Sequence, residues 1–188
     1  MKKLVLGFIL IGSFLSAQTK NVINSDINWW GYKVAKTEAS SHTGSLKMKT
    51  GNVVLKGKNI TGGKFLLDMT SINDEDLTGE YQAKLNGHLK TGDFFEVEKF
   101  PTASYTITSV TRNNSKEFPY LVRGNLTAKG VTKAVNFPAN ISLNKGLLTL
   151  KSDKFSFNRQ DFGIAYQSTM KDVFVKDEVD MQISLQAK

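Results

Sequence analysis

A period of two runs through most of this chain. Ile27, Trp29 and Gly31 fall on one side of an extended segment, and Asn28 and Trp30 on the other. Phe65, Leu67 and Met69 alternate with Leu66, Asp68 and Thr70. Tyr105 and Ile107 alternate with Thr106 and Thr108, and Tyr120, Val122, Gly124 and Leu126 with Leu121, Arg123, Asn125 and Thr127. Val131, Lys133, Val135 and Phe137 share a side, as do Phe155 and Phe157, and Val179 through Leu185 repeats the pattern. Successive side chains of a strand point to opposite faces, so each run describes a strand buried on one side only.

Turn chemistry punctuates these runs at Lys56–Asn59, Thr61–Gly63, Arg112–Ser115, Ala128–Gly130 and Asn144–Gly146. About eight strands joined mostly by short connections make an antiparallel meander. One face is apolar and no set of helices exists to cover it, so the sheet must sandwich or close into a barrel.

One stretch breaks the period. Tyr81, Leu85 and Leu89 recur every four positions within 79–91, which predicts a short amphipathic helix. Thr78 stands at the cap position and Gly92 where a left-handed stop belongs. The following segment, HLKTGDFFEVEKFP at 88–101, carries Phe94, Phe95, Val97 and Phe100 among five acidic and basic side chains. It reads as the last helical turn and an aromatic link into the next strand, with Phe100 opening that strand and at least one of Phe94 and Phe95 packed under the helix.

The N-terminus has a different grammar. Lys2 and Lys3 precede an almost wholly apolar stretch, Leu4–Leu15, and Ser16-Ala17 offers a small-residue exit. This is the layout of a secretory signal peptide over residues 1–17, too short to span a bilayer comfortably. It leaves one domain, residues 18–188, expected in the periplasm or outside the cell. Removing residues 1–17 takes two of the 25 basic side chains and none of the 17 acidic ones, so the net charge falls from +8 to +6. The basic residues are scattered singly, which speaks against nucleic acid and leaves transient attraction to an anionic membrane surface open.

The chain has no cysteine, so disulfides, thiolate metal sites and cysteine nucleophiles are excluded. It has two histidines, His42 and His88, and no GxSxG elbow. The two histidines stand 46 positions apart without ligand spacing, and Asp74-Glu75-Asp76 lacks the glycine and spacing of a calcium loop; a solvated loop is expected there. His88 borders the apolar face of the helix, either bonded to backbone or set at the lip of a cavity. Arg159 alternates onto the side of Phe155 and Phe157; an inward guanidinium must be paired, with Asp161 the nearby candidate, or meet an anionic ligand. Twelve Phe, five Tyr and two Trp fill a barrel interior or line a space within it.

An ordered series of motifs adds a further reading. Trp29-x-Gly31-x-Lys33, His42-x-Gly44, Gly62-Gly63-x-Phe65, Asp68-Met69-x-Ser71-Ile72, Leu85-x-x-His88-Leu89-Lys90-x-x-Asp93-Phe94-Phe95 and Phe100-Pro101-x-Ala103 follow one another. Gly124-Asn125-Leu126-Thr127, Gly130-Val131-Thr132-Lys133, Phe157-x-Arg159-x-Asp161-Phe162-Gly163 and the Val173–Leu185 strand complete it. From about Ser25 to Ala187 the chain resembles the YceI-like family. The resemblance implies an all-β fold, an extended antiparallel eight-stranded lipocalin-like barrel with a short helix near one end and an elongated apolar pocket. It implies a lipid-binding protein whose ligand is an isoprenoid lipid, a polyprenyl phosphate or an isoprenoid quinone, or another long-chain amphiphile. No family pattern of catalytic residues carries over, so neither catalysis, cofactor nor metal is expected. Trp29, Phe65, Leu67, Leu85, Phe94, Phe95, Tyr105, Phe137, Phe155, Phe157 and Phe162 are the candidate tail contacts; His42, His88 and Arg159 are the candidates for the head group. The competing expectation is a side-chain-filled barrel serving as a protein-interaction or stress-related envelope module.

Overall fold

The computed structural model describes residues 16–35 and 38–188. The expected signal peptide lies outside the described residues apart from Ser16 and Ala17. Nine strands form one antiparallel sheet: β1 (Ala17–Ala35), β2 (Glu38–Lys56), β3 (Asn59–Asp74), β4 (Thr102–Arg112), β5 (Tyr120–Ala128), β6 (Val131–Asn144), β7 (Leu147–Ser152), β8 (Phe155–Asn158) and β9 (Val173–Ala187). A single helix among the described residues, α1 (Gly79–Lys90), follows β3.

Neighbours in sequence pair from β1 to β7, and β9 bonds back to β1, which closes the sheet. β7 and β8 share one place in the barrel. The C-terminal half of β9 pairs with β7, Leu148 opposite Ala187, and its middle pairs with β8, Phe155 opposite Met181. The barrel therefore has eight strand positions, one of them occupied end to end by two short strands.

The alternation read from sequence sets which side chains turn inward. Ile27, Trp29, Phe65, Leu67, Met69, Tyr105, Ile107, Val122, Leu126, Val135, Phe137, Met181 and Leu185 are all buried. Two hairpins use two-residue loops with both residues at positive φ, Lys129-Gly130 (48° and 77°) and Lys145-Gly146 (47° and 82°). Such turns match the twist of the strands they join. Thr61–Gly63, expected as a turn, instead lies within β3. Gly63 serves close packing there: a Cβ would stand 2.7 Å from the Asn52 carbonyl oxygen and 3.3 Å from Ile107 Cδ1.

Tyr105 fixes the middle of the barrel. Its ring crosses β5 over Gly124 and its hydroxyl donates to the Val135 carbonyl at 2.8 Å. Gly124 is opposite Val135 in the β5–β6 ladder, so the glycine clears the path the ring takes. Burial pushes the Tyr105 hydroxyl pKa well above its ordinary value. Phe137 continues the stack, 5.6 Å from Tyr105 and 4.7 Å from Phe155 between ring centroids.

The helix differs from its sequence expectation in detail. Tyr81 is 74 % exposed, and Leu89 is the residue α1 buries. Thr78 makes no side-chain cap bond. The helix stops at Thr91, whose N–H and hydroxyl both donate to the His88 carbonyl; Gly92 is not left-handed, and Glu96 takes a positive φ instead. The helix is held through its polar side: Gln82 Nε2 donates to the Asp74 carbonyl, and Asn86 accepts from the Asp74 N–H and donates to Asn73. Burial periodicity cannot report such bonds. Phe100 ends the aromatic link, two residues before β4 begins at Thr102.

A methyl group at Gly124 would collide with the Tyr105 ring and with the Thr106 carbonyl oxygen, the latter at 2.5 Å. Gly124→Ala is expected to lower unfolding stability by about 1–3 kcal/mol, as overpacking does, read as a reduced denaturant midpoint with unchanged slope.

Candidate functional site

The upper part of the barrel, at the end that carries α1, is not filled. The β3–β4 ladder stops at Asp68 opposite Thr102, while β1, β2, β3 and β9 run on past it. β8 bonds to β9 alone among the described residues. The gap between the long and short strands is covered by α1, by the aromatic link at 91–101 and by the segment 163–172. Beneath them lies a cavity of about 340 Å³, within the range of small-molecule sites, roughly 300–1,000 Å³.

Its walls are apolar. Leu67, Met69 and Ile72 come from β3, Ala103 from β4, Leu126 and Ala128 from β5, Phe157 from β8, and Val179 and Met181 from β9. Leu85, Leu89, Phe94 and Phe95 close it from the helix side, and Ile164, Tyr166 and Met170 from the opposite side. Six of the eleven candidate tail contacts border this space: Trp29, Leu67, Leu85, Phe94, Phe95 and Phe157. The other five are packed into the solid part of the molecule. Phe65 and Tyr105 face each other one inward step further from the mouth than the Leu67–Ala103 pair. Phe137 and Phe155 stack beside Tyr105, and Phe162, 1 % exposed, sits edge-on to Phe157. Alternation identifies an inward side chain; it does not say at which height of the barrel the side chain lies.

Three of the rim rings meet. His88 stands edge-on to Phe94 at 5.0 Å and to Tyr166 at 4.7 Å, and Phe94 lies 5.0 Å from Tyr166. Nothing periodic marks Tyr166, which lies in an irregular segment. Two other surface depressions, near Phe118 and along Val22–Asn28, are bordered largely by polar residues such as Asn24, Asp26, Lys47 and Lys151.

All three head-group candidates border the cavity, and each already has a protein partner. Arg159 is 2 % exposed and opens a short 3₁₀ turn, Arg159–Phe162. Its guanidinium donates to the carbonyls of Ile164 (2.7 Å), Lys176 (3.0 Å) and Val175 (3.4 Å), and pairs with Asp177 at 3.0 Å. The expected partner Asp161 is not among the guanidinium's partners; apart from the Ile164 carbonyl the acceptors come from β9, eighteen residues on in the case of Asp177. His88 stands at the lip of the cavity, the second of its two expected placements, and its Nε2 lies 2.9 Å from Asp93 Oδ2.

His42 Nδ1 lies 3.0 Å from Asp76 Oδ2 and 3.7 Å from Asp74 Oδ2. The Asp74 side chain is 0 % exposed, so the solvated acidic loop expected from sequence is overturned at that position. β3 carries Asp74 opposite Gly44, where the absent side chain leaves room for the Trp29 indole and the Asn73 carbonyl oxygen. Burial pushes the Asp74 carboxyl above its ordinary range, and the neighbouring Asp76 adds to the rise. Burial opposes ionisation of Asp76 too, yet the Thr43 N–H and the His42 ring together hold that carboxyl below its ordinary range. Tyr32, also on the cavity border, donates to Asp180 Oδ2 at 2.6 Å. That bond, with burial and the Asp180 charge, raises its pKa to about 12.

The YceI-like domain family matches residues 19–187. The chain belongs to this family. Protein YceI of Salmonella newport is 29 % identical over 147 residues, covering 75 % of this chain and 73 % of its own length. The crystal structure of Burkholderia cenocepacia BcnA superposes with a TM-score of 0.67 at 20 % identity, covering 87 % of this chain and 96 % of that one. A polyisoprenoid binding domain from Saccharophagus degradans, implicated in plant cell wall breakdown, superposes with a TM-score of 0.59 at 11 % identity, covering 90 % and 97 %. These likenesses establish the closed eight-stranded lipocalin-like barrel as the family's fold.

Removing the Arg159 head leaves three carbonyls and a carboxylate without their donor, at about 1–3 kcal/mol for each group that stays buried. Arg159→Met is therefore expected to lower the thermal midpoint markedly and to speed proteolysis within 163–172. A variant as stable as the parent would place the guanidinium's role in ligand binding instead. The Tyr32 hydroxyl has its folded pKa raised above about 10, so its contribution to stability is complete below that pH and is lost as pH rises through about 12. Tyr32→Phe should flatten the stability curve in that window, measured by denaturant unfolding.

Proposed function

We propose that this protein binds an isoprenoid lipid without chemically changing it, as a carrier or store outside the cytoplasmic membrane. The observation that carries this reading is the apolar cavity under α1. It is bordered by Leu, Ile, Val, Met, Ala and aromatic side chains and opens beside a few polar groups. Each methylene moved from water into such a space contributes about 0.8 kcal/mol, less the cost of ordering the chain. Family membership and the fold likeness to a domain described as polyisoprenoid binding support the same ligand class.

The head group, a phosphate or a quinone ring, would stay at the mouth beside His42, His88 and Arg159. Met170 (70 % exposed) and Phe174 (65 % exposed) lie at this end, next to Lys171 and Lys176. An apolar pair flanked by lysines suits brief contact with an anionic membrane, the source of such a lipid. The apolar N-terminal run with its small-residue exit supports export and a periplasmic or secreted location. The solid lower half, with Tyr105, Phe137 and Phe155 stacked, supports a limited ligand length within the barrel rather than a tail threading the whole of it.

Organic extraction of the purified protein followed by mass spectrometry should release an isoprenoid lipid in amounts approaching one per chain. Ala128→Phe places a ring into the cavity. It is expected to cut retained lipid several-fold while changing stability by less than the about 1–3 kcal/mol that overpacking a filled core costs. No lipid in the parent, together with a large loss of stability in Ala128→Phe, would show a filled interior and favour the interaction-module reading.

A further inference from the structure

We propose that His42, Asp74 and Asp76 form a binding site for a divalent transition-metal ion at the rim of the cavity. The three come from separate places: β2, the last residue of β3, and the turn that follows. Their donor atoms, His42 Nδ1 and one oxygen of each carboxylate, all lie within 4.8 Å of one another. Two of the separations are 3.0 Å and 3.7 Å. Ligands held about 2.0–2.2 Å from a common ion have separations of this order.

Each carboxylate is already oriented by a backbone donor on its other oxygen. The Leu77 N–H donates to Asp74 Oδ1 at 2.8 Å, and the Thr43 N–H to Asp76 Oδ1 at 2.6 Å. Such outer bonds are what fix metal ligands in place. They leave Oδ2 of both residues turned toward the same imidazole nitrogen.

One observation separates this cluster from a solvated group of acids. Asp74 Oδ2 is buried and has no hydrogen-bond partner, on a side chain that is 0 % exposed. The Nδ1 of His42 carries at most one hydrogen, and Asp76 is the nearer acceptor. An unpaired buried carboxylate oxygen is costly. A cation bound between the three donors satisfies that oxygen and both charges at once. Asp74 is not free to turn away, because α1 holds its backbone through Gln82 and Asn86.

The donor set selects the ion. One imidazole nitrogen with two carboxylate oxygens suits zinc, manganese or ferrous iron; magnesium and calcium prefer all-oxygen surroundings. Three protein ligands leave coordination positions for water or another oxygen donor.

The test is calorimetric titration of the untagged, chelator-treated protein with zinc chloride, manganese chloride and calcium chloride. One zinc or manganese ion per chain is expected, with weak or no binding of calcium. His42→Gln and Asp76→Asn, both partly exposed positions, should each weaken binding about tenfold or more. Asp93→Asn, which removes the other histidine–carboxylate pair, should leave it unchanged. Manganese should broaden the nuclear magnetic resonance signals of the His42 ring and spare those of His88. Absence of stoichiometric binding would overturn the site and leave a proton-bridged triad; so would binding that survives His42→Gln and Asp76→Asn. Lipid retention is measured separately and does not decide this outcome.

Discussion

The closure of this barrel rests on β9. One of its edges is paired with β1 from Val22 to Ala35, and the other is divided between β7 and β8. The division has a structural cause at residues 153–154, where the chain leaves the ladder before β8 resumes it further up. Below that break, the Ser152 hydroxyl oxygen accepts from the Ile183 N–H at 2.8 Å, which patches the interruption. Above it, β8 contributes only four residues and turns at once into the 3₁₀ segment. A barrel closed by a continuous strand would have a complete wall there. This one has an opening, and the cavity follows from it.

What covers the opening is tied down by polar groups and ring packing rather than by a ladder. Arg159 pins the 3₁₀ turn to three successive residues of β9, Val175, Lys176 and Asp177. Asn86 and Gln82 pin α1 to the end of β3. The His88–Asp93 pair bridges the helix end and the aromatic link. Arg159 and His88 are thus compensated within the chain, whereas the His42–Asp74–Asp76 cluster keeps one buried carboxyl oxygen without a partner.

Inward-facing residues were legible in the sequence because burial on one side of a strand imposes a period of two, and nothing else in the chain imitates it. The strands and the helix position could therefore be stated from Trp29, Leu67, Leu85 and their like, while closure into a barrel rather than a sandwich, and an apolar pocket within it, were implied by the family resemblance. What escaped depends on three-dimensional register. Phe137 and Leu126 are equally inward by pattern, yet one is stacked between rings and the other borders open space. Asp177 shares the parity of Val175 and Val179 in β9, so alternation alone does not mark it as the partner of Arg159. Asp74 reads as part of an acidic turn, and only the register that sets it opposite Gly44 explains its burial. Tyr166 lies in an aperiodic segment whose place is decided by Arg159 and Phe94, not by its own neighbours in sequence.

The two ends of the cavity differ in how much order must be broken to pass them. Its floor is formed below Leu67 and Ala103 by Phe65, Tyr105 and the Phe137–Phe155 stack, with the Tyr105 hydroxyl bonded across to β6. Displacing those rings means repacking a close-packed core and losing a buried hydrogen bond at the same time. The segment 163–172 is different. Its backbone bonds to other residues occur at its ends, Gly163 and Ile164 on one side and Met170 with Val173 on the other, and residues 165–169 hold their place through side chains such as Tyr166. Segments with few backbone bonds and partly exposed apolar contacts open at the smallest free-energy cost. Of the two ends, the Tyr166 side of the mouth, where Phe94 and His88 both meet a single ring, is therefore the one held by less order, and the floor the one held by more.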